Sequence, residues 1–476
     1  MMRTLCLHPP SYEGFDGGAG SRYQAKREIR SFWYPTWLAQ VAAIVPGSRL
    51  VDAPAAGLSL ADVLPLARQY DLAVLHTSSP SHPGDVQVAE ALKRENPALT
   101  VGFVGAKVAV EPEASLLASD AIGFVAREEF DFTIAEVAEG RPFADVPGLT
   151  FRDPDGTVVH TADRPILADM DRLPYVTDVY RRDLNIDDYF IGYLKHPYVS
   201  LYTGRGCRSR CTFCLWPQTV GGHRYRTRST AHVLGEMARI TEMFPSVKEV
   251  FFDDDTFTDD RRRAEEIARG MGKLGLTWSC NAKANVPFET LKVLRDNGLR
   301  LLLVGYESGN QQILINIKKG IRVDRARQFT KDCRDLGITI HGTFIVGLPG
   351  ETKETIQETI RFAKEINPHS LQVSIAAPYP GTALYEQARE NGWLPEDDST
   401  LIDERGVQAA ALSYPNLNRT EIYESVESFY RQFYFRAGKI AEMSAEMVRR
   451  PEMMRRRLRE GAEFISFLRR REGEAS

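Results

Sequence analysis

The feature that most constrains how this chain folds is a repeated alternation of short apolar runs with longer amphipathic stretches. The apolar runs fall at 198–203, 249–253, 277–281, 300–305, 339–346 and 371–376. Stretches of helical period separate them, at 232–244, 261–274, 288–297, 324–336 and 353–366. Strands joined through helices of this length pair in parallel, because each crossover has to return along the sheet. Six such units predict a partial, TIM-like (β/α)6 barrel over residues 196–395. In barrels of this kind the chemistry sits on the loops that follow the strands.

The first part of the chain alternates in the same way. Strands are expected at 4–7, 72–76, 101–104 and 122–126, with helices at 86–93 and 132–139. This predicts an α/β, Rossmann-like domain over residues 1–145, a parallel sheet with helices on both faces. A hairpin with its turn at Asp153-Pro154-Asp155-Gly156 opens a linker over 146–195. Beyond 395 the pattern turns helical, and Ile422, Val426, Phe429 and Phe433 form an apolar stripe that should pack on the barrel. Residues 396–476 therefore read as a helical extension.

At 476 residues the chain exceeds what a single core normally supports. Its 43% hydrophobic and 26% charged residues suit a folded enzyme and exclude a disordered chain. A net charge of −4 gives no reason to expect a nucleic-acid partner. The N-terminus lacks the apolar run of a signal peptide, and no run is long enough to span a membrane. The expected location is cytoplasmic. A peripheral contact with the inner membrane face is also open, because residues 447–471 carry nine arginines against three glutamates, interleaved with Leu458, Phe464, Ile465, Phe467 and Leu468. A solvated basic helix would read the same way.

Three of the six cysteines crowd into Cys207-x3-Cys211-x2-Cys214, just past the first barrel strand. Clustered thiols in a chain of this size read as metal ligands rather than as a disulfide framework. Three thiolates on a [4Fe–4S] cube leave one iron open to an outside ligand. Zinc would require a fourth protein ligand, for which His223 is the candidate, so a zinc-stabilised Cys3His binding module is the non-enzymatic alternative. Gly204 and Gly206 let the backbone wrap closely, Arg205, Arg208 and Arg210 bring positive charge to an anionic centre, and Phe213 suits a cover for it. Cys6, Cys280 and Cys333 have no partner at ligand spacing and should be buried.

This spacing, at the end of the first strand of a six-strand partial barrel, resembles the radical S-adenosylmethionine (radical SAM) superfamily. The resemblance implies that the open iron chelates S-adenosylmethionine and that reductive cleavage yields a 5′-deoxyadenosyl radical. It implies that Asp254 and Asp255 contact the methionyl amine and that Lys283 pairs with the methionyl carboxylate. Glu307 and Ser308, in Gly305-Tyr306-Glu307-Ser308-Gly309, would face the ribose. Gly347 and Pro349, in Gly347-Leu348-Pro349-Gly350-Glu351-Thr352, would line the adenine end. It also implies an electron donor such as flavodoxin or ferredoxin.

The N-terminal domain resembles the cobalamin-binding class through Phe103-Val104-Gly105-Ala106 and Val125-Ala126-Arg127-Glu128-Glu129. It lacks that class's Asp-x-His-x-x-Gly motif, and His76 and His82 do not restore it. Cobalamin without a protein ligand to cobalt and a domain without cobalamin are both open. Three further stretches resemble the radical SAM proteins of hopanoid biosynthesis: Asp16 to Arg22, Ser31 to Leu38, and Phe213 to Thr219. This implies a hopanoid glycolipid substrate whose glucosamine-type sugar is contracted to a cyclitol ether. The alternative is cobalamin-dependent methylation of a lipid or another unactivated carbon.

Overall fold

The computed structural model describes residues 1–10, 31–394, 401–402, 407–449 and 451–472, excepting the side chains of 449, 451–457, 468 and 470–472. The resembling stretch Asp16 to Arg22 and the tail residue Arg450 lie outside the described residues, and the side chains of Arg449, Arg455, Arg456, Arg457, Arg470 and Arg471 are not described. Among the described residues, no helix is long and apolar enough to cross a membrane.

The N-terminal sheet is built on β1 (Thr4–His8), β2 (Arg49–Asp52), β3 (Leu72–His76), β4 (Thr100–Val104) and β5 (Phe124–Ala126), parallel in the order β2-β1-β3-β4-β5. Open sheets of this order place ligands beyond their C-terminal strand ends. The hairpin of β6 (Leu149–Arg152) and β7 (Val158–His160) extends the sheet in antiparallel fashion. The sequence patterns gave no warning of β2 or of the helix Thr36–Ile44. That helix buries every residue from Thr36 to Ala42, so it shows no polar face and hence no helical period.

The six strands expected in the second half are all present: β8 (Tyr198–Leu201), β11 (Glu249–Phe252), β12 (Trp278–Ala282), β13 (Leu299–Glu307), β14 (Thr339–Val346) and β15 (Ser370–Ile375). They pair in parallel, each with its neighbour in sequence, to form a half-barrel open at β8 and β15. Between β8 and β11 a separate two-residue ladder joins β9 (Gly204–Arg205) to β10 (Arg226–Thr227).

An open barrel leaves unpaired backbone groups along two edges. Tyrosine hydroxyls cover both. At the β15 edge, Tyr434 and Tyr430 accept from the amides of Leu371 and Val373, each at 2.9 Å. Gln408 takes both backbone groups of Ile375, at 3.1 and 2.7 Å. At the β8 edge, Tyr34 donates to the Tyr198 carbonyl (2.7 Å) and Tyr180 to that of Ser200 (3.0 Å). Tyr430 and Tyr434 lie on the helix Arg419–Tyr434, whose stripe Ile422, Val426, Phe429 and Phe433 is buried, with the Phe429 ring 5.2 Å from that of Phe344 on β14.

The turn after β14 is fastened from inside the protein. Glu351 accepts from the amides of Gly347 (2.7 Å) and Leu348 (3.0 Å), and Tyr414 donates to the Gly347 carbonyl. Gly347 has φ +82°, and a Cβ there would meet Ile422 at 2.9 Å. Burial pushes the Glu351 carboxyl up to about 8, against the pull of the two amides.

Two predictions follow from these contacts. Phe429→Ala removes a fully buried ring and should cost about 3–5 kcal/mol in denaturant unfolding. Glu351 is an acid whose folded pKa lies above its unfolded value, so its contribution to stability should decline as pH rises from near the unfolded carboxyl range through about 8. The difference in melting temperature between wild type and Glu351→Gln should therefore shift in favour of the variant across that window. A constant difference would show that Glu351 does not titrate there.

Candidate active site

One cavity of about 180 Å³ opens at the C-terminal ends of the barrel strands. Every strand, or the loop that follows it, contributes to its lining: the cysteine loop after β8, Asp253, Asp255 and Thr256 after β11, Asn281 to Lys283 at β12, Gly305 and Glu307 at β13, Thr343 on β14 and Gln372 on β15. Trp33, from the N-terminal part of the chain, and Tyr193, from the linker, complete the wall.

Cys207, Cys211 and Cys214 all line this cavity, with Phe213 beside them. The loop that carries them has almost no regular structure, and side chains fix its shape. Gln218 donates to the carbonyls of Cys211, Thr212 and Cys214 (2.7 Å to the last) and accepts from the amide of Ala383. Gly206 has φ +84°, and a Cβ there would lie 2.4–2.9 Å from three backbone oxygens, so only glycine fits. The Cys207 sulfur sits 3.2 Å from the Thr256 hydroxyl. Burial raises the Cys211 thiol pKa, with Lys319 opposing.

The wall facing the thiols is charged. Glu307 takes a left-handed φ of +62°, rare for a side chain of its size, at a bulge in the β13–β14 ladder. Its carboxylate folds over Gly305, where a Cβ would meet Glu307 Oε1 at 2.3 Å, and Lys319 Nζ binds it at 2.6 Å. Burial acts against the Lys319 ammonium, but the charges of Glu307 and Cys211 outweigh it, so the pKa is raised and the group stays charged. Lys283 lines the same cavity with its ammonium on Asp259, at 3.0 and 3.2 Å.

Of the residues singled out from sequence, Cys207, Cys211, Phe213, Cys214, Asp255, Lys283 and Glu307 meet at this cavity. Asp254 does not. Its fully buried carboxylate takes the amide and hydroxyl of Thr203, each at 2.6 Å, and the hydroxyl of Tyr225 at 2.7 Å. Burial raises its pKa against the pull of Arg263, Thr203 and Tyr225. Ser308 hydrogen-bonds Thr359 at 3.0 Å, and Pro349 presents its carbonyl to Asn316 at 3.0 Å. Neither these two nor Gly347 is among the lining residues. Lys319 and Tyr193 were not singled out, and Trp33 and Gln218 only as members of the stretches Ser31 to Leu38 and Phe213 to Thr219. Lys319 sits in a loop, Lys318-Lys319-Gly320, that looks like ordinary surface sequence.

Three cysteines open onto one cavity, a donor set that suits a polynuclear centre with one site left open. The Nδ1 atom of His223 faces the Ser209 carbonyl at 2.9 Å. The other cysteines, Cys6, Cys280 and Cys333, are fully buried.

Residues 201–363 match the family model described as the Radical SAM superfamily. An uncharacterized methyltransferase of Pyrococcus horikoshii is 29% identical over 413 residues, covering 83% of this chain and 84% of that protein. The anaerobic magnesium-protoporphyrin IX monomethyl ester cyclase of Rubrivivax gelatinosus is 25% identical over 456 residues, 91% of this chain and 77% of that protein. The radical SAM methyltransferase TsrM of Kitasatospora setae, solved with cobalamin and a [4Fe–4S] cluster, shares the fold with a TM-score of 0.67 at 16% identity, over 90% of this chain and 91% of that one. The match over residues 201–363, with the cysteine loop inside it, identifies a radical SAM domain within this chain.

Proposed function

We propose that the protein is a radical SAM enzyme that transfers a methyl group to an unactivated carbon with cobalamin as carrier. The observation that carries the radical SAM part is the convergence of three thiols with Asp255, Lys283, Glu307 and Lys319 at the mouth of one half-barrel. Cys207, Cys211 and Cys214 would hold the cluster. Glu307, fixed by Lys319, would accept hydrogen bonds from ribose hydroxyls, and Asp255 would accept from the methionyl ammonium. A cluster with S-adenosylmethionine would supply the 5′-deoxyadenosyl radical. Trp33, Tyr193, Leu215, Trp216, Pro217 and Tyr379 wall the rest of the cavity and suit a substrate with an apolar face.

Support for the methyl-transfer part comes from the N-terminal domain. The similarity to the Pyrococcus methyltransferase spans most of the chain rather than the barrel alone. At the C-terminal edge of the N-terminal sheet, both ring nitrogens of buried His76 lack a hydrogen-bond partner. The neighbouring Gly105, at φ +121°, has no room for a Cβ, which would meet the Thr77 carbonyl at 2.3 Å. An orphaned polar ring beside a bare backbone turn fits a ligand there. His76, Thr77 and the Gly105–Ala106 turn would hold cobalamin, which would supply the methyl carrier. His8 is engaged elsewhere, on Asp52 at 2.8 Å.

A second reading, contraction of a hopanoid-linked sugar, draws on one observation. Two of the stretches resembling hopanoid-biosynthesis proteins, distant in sequence, meet at the cavity: Trp33 from one, and Phe213, Leu215, Trp216 and Pro217 from the other. The partners proposed with these readings are a lipid or other apolar substrate and a flavodoxin- or ferredoxin-like reductant.

The readings separate by product. Anaerobic protein reconstituted with iron, sulfide and hydroxocobalamin should retain corrinoid through gel filtration and, with S-adenosylmethionine, reductant and substrate, release S-adenosylhomocysteine. Glucosaminyl-bacteriohopanetetrol converted with 5′-deoxyadenosine and methionine but no S-adenosylhomocysteine would establish the second reading and overturn the first. Changing Cys207, Cys211 or Cys214 to Ala should remove most reconstituted iron and the visible absorbance, while Cys280→Ala should leave both in place.

A further inference from the structure

The cysteine loop is closed at its base by the short ladder β9–β10, which brackets residues 206–225 and so encloses all three thiols. The register of this ladder puts Arg205 directly opposite Arg226. Like charges directly opposite one another on an antiparallel pair repel. A two-residue ladder offers little to offset that, so this neck would not close by itself.

Two carboxylates from the other domain make closure possible. Arg226 forms a fork with Glu129, at 2.6 and 2.8 Å, and Arg205 forms one with Asp131, at 2.6 and 3.1 Å. Both acids follow directly on β5 of the N-terminal sheet. The four side chains are 3–5% exposed, so two positive and two negative charges are balanced almost wholly out of water. Arg205 also lies over the ring of Trp37, 4.0 Å from its centre, and Trp37 stacks on Trp216, which lines the cavity. On the barrel side Asp254 holds Thr203, just outside the neck, and Tyr225, just inside it.

We infer that Glu129 and Asp131 are positioning residues for the cysteine loop. The N-terminal domain, whatever ligand it carries, supplies the countercharge that shuts the neck and holds the three thiols at the cavity. The role goes beyond the proposed activity. Its consequence for cluster binding rests on the radical SAM reading, whereas its consequence for loop order does not.

The test uses the full chain with Glu129→Gln, Asp131→Asn and the paired replacement E129L/R226M. Hydrogen exchange is measured on the protein without added iron. Peptides within 206–225 should exchange about tenfold faster in Glu129→Gln and Asp131→Asn while β12 and β13 keep their protection. The paired replacement removes one arginine of the opposed pair together with its countercharge, and an apolar pair of similar volume often matches a buried ion pair in stability, so its exchange should return toward wild type. After anaerobic reconstitution the two single variants should hold less than half the wild-type iron per folded chain, and the reduced cluster's electron paramagnetic resonance line shape should change. Wild-type exchange in 206–225 for the folded single variants would overturn the inference. Faster exchange with full iron and an unaltered line shape would overturn its consequence for the cluster. Faster exchange in the single variants of a protein whose wild type takes up no cluster would instead count against the radical SAM reading alone.

Discussion

Three thiols face one cavity from a single loop that has almost no regular structure. A strand would turn Cys214 to the other face, and no helix forms here to use the i, i+4, i+7 spacing, so the loop gives up a hydrogen-bond ladder of its own and takes its shape from side chains and neighbouring backbone. In this chain the outside partners are few and specific. The Gln218 amide spans three carbonyls, the Thr212 amide rests on the Ile317 carbonyl, and Gly206 lets the backbone of residues 221–224 approach where a side chain would collide. The barrel gives the loop a floor, and the loop's residues give the cavity its donors.

The cavity's charges follow the same logic. Burying a carboxylate is costly unless it is paired. Glu307 is paired with Lys319, and the strained backbone that places it is tolerated because both neighbours of the bulge are pinned. Lys283 and Asp259 make a second pair on the opposite side. The site therefore carries fixed countercharges beside its thiols, which favours small zwitterionic ligands over purely apolar ones. Its aromatic wall offers the complementary surface.

Much of the fold was legible in the sequence because parallel strands buried on both faces announce themselves as short apolar runs. The six barrel strands fall where those runs lie. The helix at Thr36–Ile44 was illegible for the converse reason: buried all round, it has no amphipathic period to read. At the site, the thiols and Glu307 were found because their spacing or strand-end position carries chemistry. Asp254 shows the limit. Three consecutive aspartates follow β11, and successive side chains in extended chain alternate in direction. Asp253 and Asp255 reach the cavity, and Asp254 turns the other way into Thr203 and Tyr225. Lys319 was invisible because nothing local distinguishes it; only the fold of the loop brings it to Glu307.

The tyrosine hydroxyls along β8 and β15 bear on how the molecule behaves at high concentration. A half-barrel with bare edges would invite another chain to add a strand. A neighbouring strand would satisfy an edge but present a fresh edge of its own. A hydroxyl satisfies one backbone group, or both groups of one residue as Tyr434 does for Leu371, and presents no further strand edge. Tyr34, Tyr180, Tyr430 and Tyr434 therefore end the sheet chemically as well as spatially. They allow the barrel to remain open without becoming a template for aggregation.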